Sequence, residues 1–179
     1  MIALDKLVDN KLLVGMFKRQ VENVPDAAEL LNIYQLLLQH HREEERSDRD
    51  KLAVQIYKTY LDPHSGNALS LDGVIDHDLR HSLMTIHEVE DGPRPTSSSL
   101  TEFRRVLGNK FSIDRQNFVK KQSEQLGVDA SALLTMSSDV LKQRIRQAKA
   151  DLAMAKQREG RVSTLPFFVI LLVLTYWCP

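Results

Sequence analysis

The chain has 179 residues, a formal net charge of zero, 42% hydrophobic and 27% charged residues, a length that suits one helical domain and is short for two ordinary ones. The balanced charge supplies no global basic excess to attract nucleic acid or an anionic surface, and the composition is neither collagen-like nor that of a plainly disordered chain. A single cysteine, Cys178, excludes an internal disulfide framework and fits a reducing compartment.

In chain order, Leu4 to Phe17 reads as a short apolar helix. Asp5, Lys6 and Asp9 interrupt it, so the uninterrupted apolar core of a secretory signal is not expected. Pro25 to Leu38 follows as a longer helix, with Asp26 and Glu29 at capping-box spacing. His40 to Asp50 is charged enough to predict a solvated loop or frayed helix end, with a weaker cap at Ser47 and Asp50. Asp50 to Gly73 is the most informative stretch. Ala53, Ile56, Tyr57, Tyr60 and Leu61 recur at the spacing of one buried helix face, and Pro63 and Gly66 stop the helix. Leu69 and Leu71 then return the chain to the core, and Asp72 is placed to cap another helix.

Glu90 to Ser99 is a linker by composition and the expected boundary. Ser99 with Glu102 marks a helix start, Thr101 to Leu107 and Ile113 to Leu126 read as two short amphipathic helices, and Gly127 ends the second. From Ser137 or Ser138 to Gly160, strong helix formers carry Leu141, Ile145, Ala148, Leu152 and Ala155 at spacings of four and three. This narrow seam on a basic helix predicts a terminal helix packed on its own domain or extended in solvent, with binding of a partner helix as the second reading. The expected fold is all-α. It divides into a helical core over 1–91, a linker with short helices over 92–127, a basic amphipathic helix over 128–161 and a hydrophobic tail over 162–179, with no internal repeat.

The run Asp50 to Gly73 resembles the centre of a regulator of G-protein signalling (RGS) domain, whose pattern is roughly A-x-x-I-Y-x-x-[FY]-L, a loop, then V-N-L-D. Here the second half reads Leu69, Ser70, Leu71, Asp72. Leu4 to Phe17 is similar to that family's opening helix, Pro25 to Leu38 stands in the place of its long helix, and Phe111 with Gln116 resembles an F-D-x-A-Q-like helix start. The likeness is greatest from Leu4 to Asp72 and nearer to the large divergent RGS-like proteins. It implies an RGS-like helical bundle and a partner, the α subunit of a heterotrimeric G protein. The family holds the switch regions of that subunit so that the subunit's own arginine and glutamine act on GTP faster. No catalytic side chain, cofactor or metal of this chain is implied. The resemblance places partner contacts at Glu29, Ser70 and Asp72. Ser70 stands where active members carry the asparagine that approaches the catalytic glutamine, and a hydroxyl is shorter and presents no amide. Weak or absent GTPase activation is therefore expected.

Leu165 to Trp177 carries no charge and follows Lys156, Arg158 and Arg161. The run is shorter than the roughly 20 apolar residues of an ordinary transmembrane helix. Pro166 is tolerable in a first turn, the basic flank agrees with a cytosolic N-terminal side, and Tyr176 and Trp177 suit a membrane interface. The expectation is a single-pass C-terminal anchor that places Phe167, Phe168, Leu171, Leu172 and Trp177 in the membrane and the domain in the cytoplasm. The alternatives are a buried terminal helix or a tail that never meets a bilayer, leaving the protein cytoplasmic. Cys178 lacks the prenylation box.

Catalytic patterns are weaker. His77 to His81 reads HDLRH, close to a zinc-protease H-E-x-x-H, but the aspartate is one methylene shorter than the glutamate that must reach metal-bound water, so no metal site is expected. Asp62 to Gly73 has the length of a calcium loop without its alternating carboxylates or final glutamate. No glycine-rich phosphate loop, nucleophile elbow or kinase signature occurs. Asp139, Asp151 and Glu159 dilute the basic helix, and no aromatic platform accompanies it, so nucleic acid is not an expected partner.

Overall fold

The computed structural model describes the backbone of residues 4–87 and 92–176 and the side chains of residues 4–87 and 92–157. The described residues are all-α, as the periodicities predict. Their only ladder-like feature is one antiparallel pair of backbone bonds between His87 and Arg94, at 3.0 and 3.3 Å. The backbone divides into two compact units, Met1–Lys121 and Gln122–Pro179.

The first unit opens with two helices, α1 (Leu4–Val8) and α2 (Lys11–Gln20), where the apolar pattern predicts one. Asn10 causes the break. Its side-chain oxygen accepts the N–H groups of Leu12 (3.0 Å) and Leu13 (3.2 Å), satisfying two donors that start α2. Next comes α3 (Ala27–Arg42), and here the predicted capping box is not made. Asp26 adopts a left-handed φ of 55° and its side chain makes no capping bond. The helix also runs beyond Leu38 to Arg42 and buries His40 inside the stretch expected to be solvated. The connection to α4 (Arg46–Ile56) is only Glu43–Glu45, and Ser47 lies within the helix instead of capping it.

At its C-terminal end α4 widens into a π turn, Tyr57–Leu61, in which the Asp62 N–H reaches the Tyr57 carbonyl at 2.9 Å. The carbonyls of Thr59 and Tyr60 take other donors, the Ser65 hydroxyl (2.8 Å) and the Leu69 N–H (3.0 Å). Those two bonds tie the following loop to the helix end. Leu71 is buried, and α5 (His77–Met84) begins after it. Its cap is Asp76, which accepts the Leu79 N–H at 2.8 Å, and not the expected Asp72.

Two further helices, α6 (Ser97–Lys110) and α7 (Ser112–Leu126), match the short helices predicted there, although α6 starts earlier and is capped by Thr96, which accepts the Ser99 N–H at 3.2 Å. Ser99 instead bridges to α5 through the Ser82 hydroxyl at 2.6 Å. The long helix α3 is the hub: α2, α4 and α6 all pack on it, while α1 packs on α2 and α5 on α6. Phe17 of α2 lies at the centre of an aromatic cluster, edge-on to Phe111 at 6.0 Å and tilted against Phe118 of α7 at 5.3 Å. All three rings are buried.

In the second unit Gly127 ends α7 with a φ of 61°, the left-handed conformation of a helix C′ position. Asp129 caps α8 (Ala130–Thr135) by accepting the Ala132 N–H at 2.8 Å. Ser138–Tyr176 then forms α9. Along its apolar seam burial fades: Leu141 is fully buried, Ile145 and Ala148 are half-buried, and Leu152 and Ala155 are exposed. Among the described residues no helix is long and apolar enough to cross a membrane. The side chains of Phe167, Phe168, Leu171 and Leu172, and the whole of Trp177, lie outside the described residues.

Candidate functional site

Glu29 is the third residue of α3, and its side chain is exposed in the first turn. There its negative charge is favoured by the helix dipole. Ser70 and Asp72 flank Leu71 where the loop passes into a turn, the Leu71 carbonyl accepting the Val74 and Ile75 N–H groups at 3.1 and 3.3 Å. Leu71 is 1% exposed while both of its neighbours are exposed. Asp72 is held by Arg80 of α5, with Nη1 to Oδ1 at 2.5 Å. Thus an apolar anchor below and an ion pair at one end position the step. Glu29 belongs to a different element, and no hydrogen bond in the described structure links it to Ser70 or Asp72.

His77 and His81, one turn apart on α5, are both exposed. Among the described residues no group of three histidine, cysteine or acidic side chains is placed to hold a metal ion.

Two polar clusters escaped the sequence reading. In the first, Asp5 of α1 accepts a hydrogen bond from the Tyr34 hydroxyl of α3 and from Arg104 of α6, whose Nη1 lies 3.2 and 3.1 Å from its two carboxylate oxygens. Burial, then the hydrogen bond to Asp5 and its charge, hold the Tyr34 phenol well above its ordinary range. Arg115 of α7, also buried, donates to the Gly108 carbonyl at 3.2 Å, and burial lowers its pKa. This cluster staples α1, α3 and α6 together. In the sequence Asp5 registers only as a charge interrupting an apolar stretch.

The second cluster lines a cavity of about 350 Å³ whose walls include Arg46, Arg49 and Asp50 of α4, Arg94, and Thr96 and Ser97 at the start of α6. Arg94 is ion-paired with Asp50, and the Arg46 Nε lies 4.0 Å from the same carboxylate. Near these arginines, His40 of α3 is 3% exposed and its Nε2 has no hydrogen-bond partner. Burial first, and then the charges of Arg49, His41 and Arg94, push the imidazole down to about 4. The charged run His40 to Asp50 was the available signal, but its helical spacing was hidden by its polarity. In comparisons with known proteins, no family model, no curated protein and no solved structure matches this chain.

Proposed function

We propose that the chain is an RGS-like regulator that docks on the α subunit of a heterotrimeric G protein and accelerates GTP hydrolysis weakly or not at all. The observation that carries this reading is the anchored step at Leu71, which holds Ser70 and Asp72 outward on a surface fixed by Arg80. Glu29 in the first turn of α3 adds an acidic contact for the switch regions. Docking and acceleration separate because a serine hydroxyl reaches less far than an asparagine amide and offers no paired donor and acceptor to a catalytic glutamine. Binding to α subunits loaded with GDP, with GDP and aluminium fluoride, or with a GTP analogue tests the proposal, with single-turnover hydrolysis run alongside. Preference for the fluoride state with little rate gain is expected, and Glu29→Lys weakens that binding without unfolding the domain. Equal or absent binding in all three states sinks it.

The apolar run Leu165 to Trp177 after a basic flank supports a membrane tether for this regulator. Deleting residues 162–179 then moves the protein from the carbonate-resistant membrane pellet to the soluble fraction. A tailless protein that stays in the pellet refutes the tether. Leu152 and Met154, 59% and 50% exposed on α9, favour a second reading, a helical adaptor that recruits a partner helix without contacting a G protein.

A further inference from the structure

We propose that the cavity walled by Arg46, Arg49 and Arg94 is an anion site that takes the dianionic phosphate of a small, soluble phosphate monoester. The charge of the described lining points to such a ligand. Three guanidiniums face one carboxylate, and three positive charges less one negative leave two, the charge of one phosphate dianion. Arginine is the side chain whose planar fork matches phosphate oxygens in pairs.

The geometry adds a helix end to these side chains. Thr96 and Ser97 bring the N-terminus of a 14-residue helix to the cavity wall, where first-turn N–H groups lack helical acceptors and the dipole favours an anion. Arg94 is 16% exposed and already fixed by Asp50, so it needs no reorganisation to share its remaining donors. Arg46, at 84% exposure and 4.0 Å from the Asp50 carboxylate, is held loosely enough to swing onto an incoming oxygen. The neighbouring His40, buried without a partner for Nε2, responds to the same positive potential through Arg49 and Arg94. Size sets the ligand class. A volume of about 350 Å³ lies at the small end of ligand pockets, which run from about 300 to 1,000 Å³, and fits a phosphate with a few carbons, not a helix or a peptide.

Calorimetric titration of the full chain with inorganic phosphate and with glycerol phosphate at about pH 8, where the dianion dominates, tests this directly, with sodium chloride at matched ionic strength as the reference. Saturable one-site binding of both phosphates is expected, together with a ligand-dependent shift of the His40 imidazole resonances. Arg46→Ala weakens binding roughly tenfold, with an unchanged melting temperature because this side chain is exposed. A response that chloride reproduces, or phosphate binding equal to the parent in both Arg46→Ala and Arg49→Ala proteins, overturns the proposal. Neither result bears on G-protein docking, which uses other residues.

Discussion

Replacing Phe17 with alanine lowers the free energy of unfolding by about 3–5 kcal/mol, the range for truncating a buried aromatic ring. Phe17 has no exposed surface, and it touches the ring at the α6–α7 corner, Phe111, and one on α7, Phe118. The substitution therefore leaves a cavity between α2 and that corner, and neither neighbouring ring can fill it while keeping its own contacts. Phe118 sits on α7 and Phe111 at the turn between α6 and α7, both buried in a tightly packed interior. Denaturant titration of the parent and variant measures the effect, read as a lower midpoint with an unchanged slope. Ile113→Ala is the matched control: at 70% exposure its loss stays within about 0.5 kcal/mol. A Phe17→Ala loss no larger than the control would mean that the aromatic cluster does not hold the first unit together.

Acidification from about pH 6.5 to pH 4 removes roughly 3 kcal/mol of stability through His40 alone. In the folded chain burial, Arg49, His41 and Arg94 hold this imidazole near pKa 4, whereas the ordinary value is 6.5. Between those values the unfolded chain binds the extra proton, so stability falls as pH falls through the window and levels off for this group below it. Above pH 6.5 both states are neutral and the contribution is constant. Unfolding free energies measured across the window for the parent and for His40→Leu separate this group from the carboxylates. The variant, which has nothing to protonate at that position, gives the shallower curve. Parallel curves would show that His40 is protonated in the folded state at no cost.

Helix content was legible because the apolar periodicities at Pro25–Leu38, Ala53–Leu61 and Ser138–Ala155 are strong enough to survive without knowledge of neighbours. Caps were less so. Asp26, Asp72 and Ser99 have the right chemistry for N-caps, but a cap depends on the backbone angle of that one residue. The structure leaves Asp26 at the N-cap position of α3 without a side-chain bond and gives the caps of α5 and α6 to Asp76 and Thr96. Buried charge was the other failure. Asp5 and Arg104 pair across 99 residues, and His40 and Arg115 are buried although polar, neither of which a local pattern records. Ser70 and Asp72 were singled out through a family pattern and not through any local periodicity; their exposure beside buried Leu71 comes from the structure.

The π turn at Tyr57–Leu61 decides which carbonyls are free to hold the loop that follows it. Such a turn is a helix carrying one residue more than its ladder needs, and an α-helix advances about 100° per residue. Deleting any one of these five residues would restore a regular ladder and shorten the helix end while turning Asp62 only slightly, because the wider turn already absorbs the extra residue. It would also withdraw the Thr59 and Tyr60 carbonyls from Ser65 and Leu69. The extra residue is thus a spacer that keeps those carbonyls within reach of the loop, so the length of this segment matters alongside its two buried side chains, Tyr57 and Leu61.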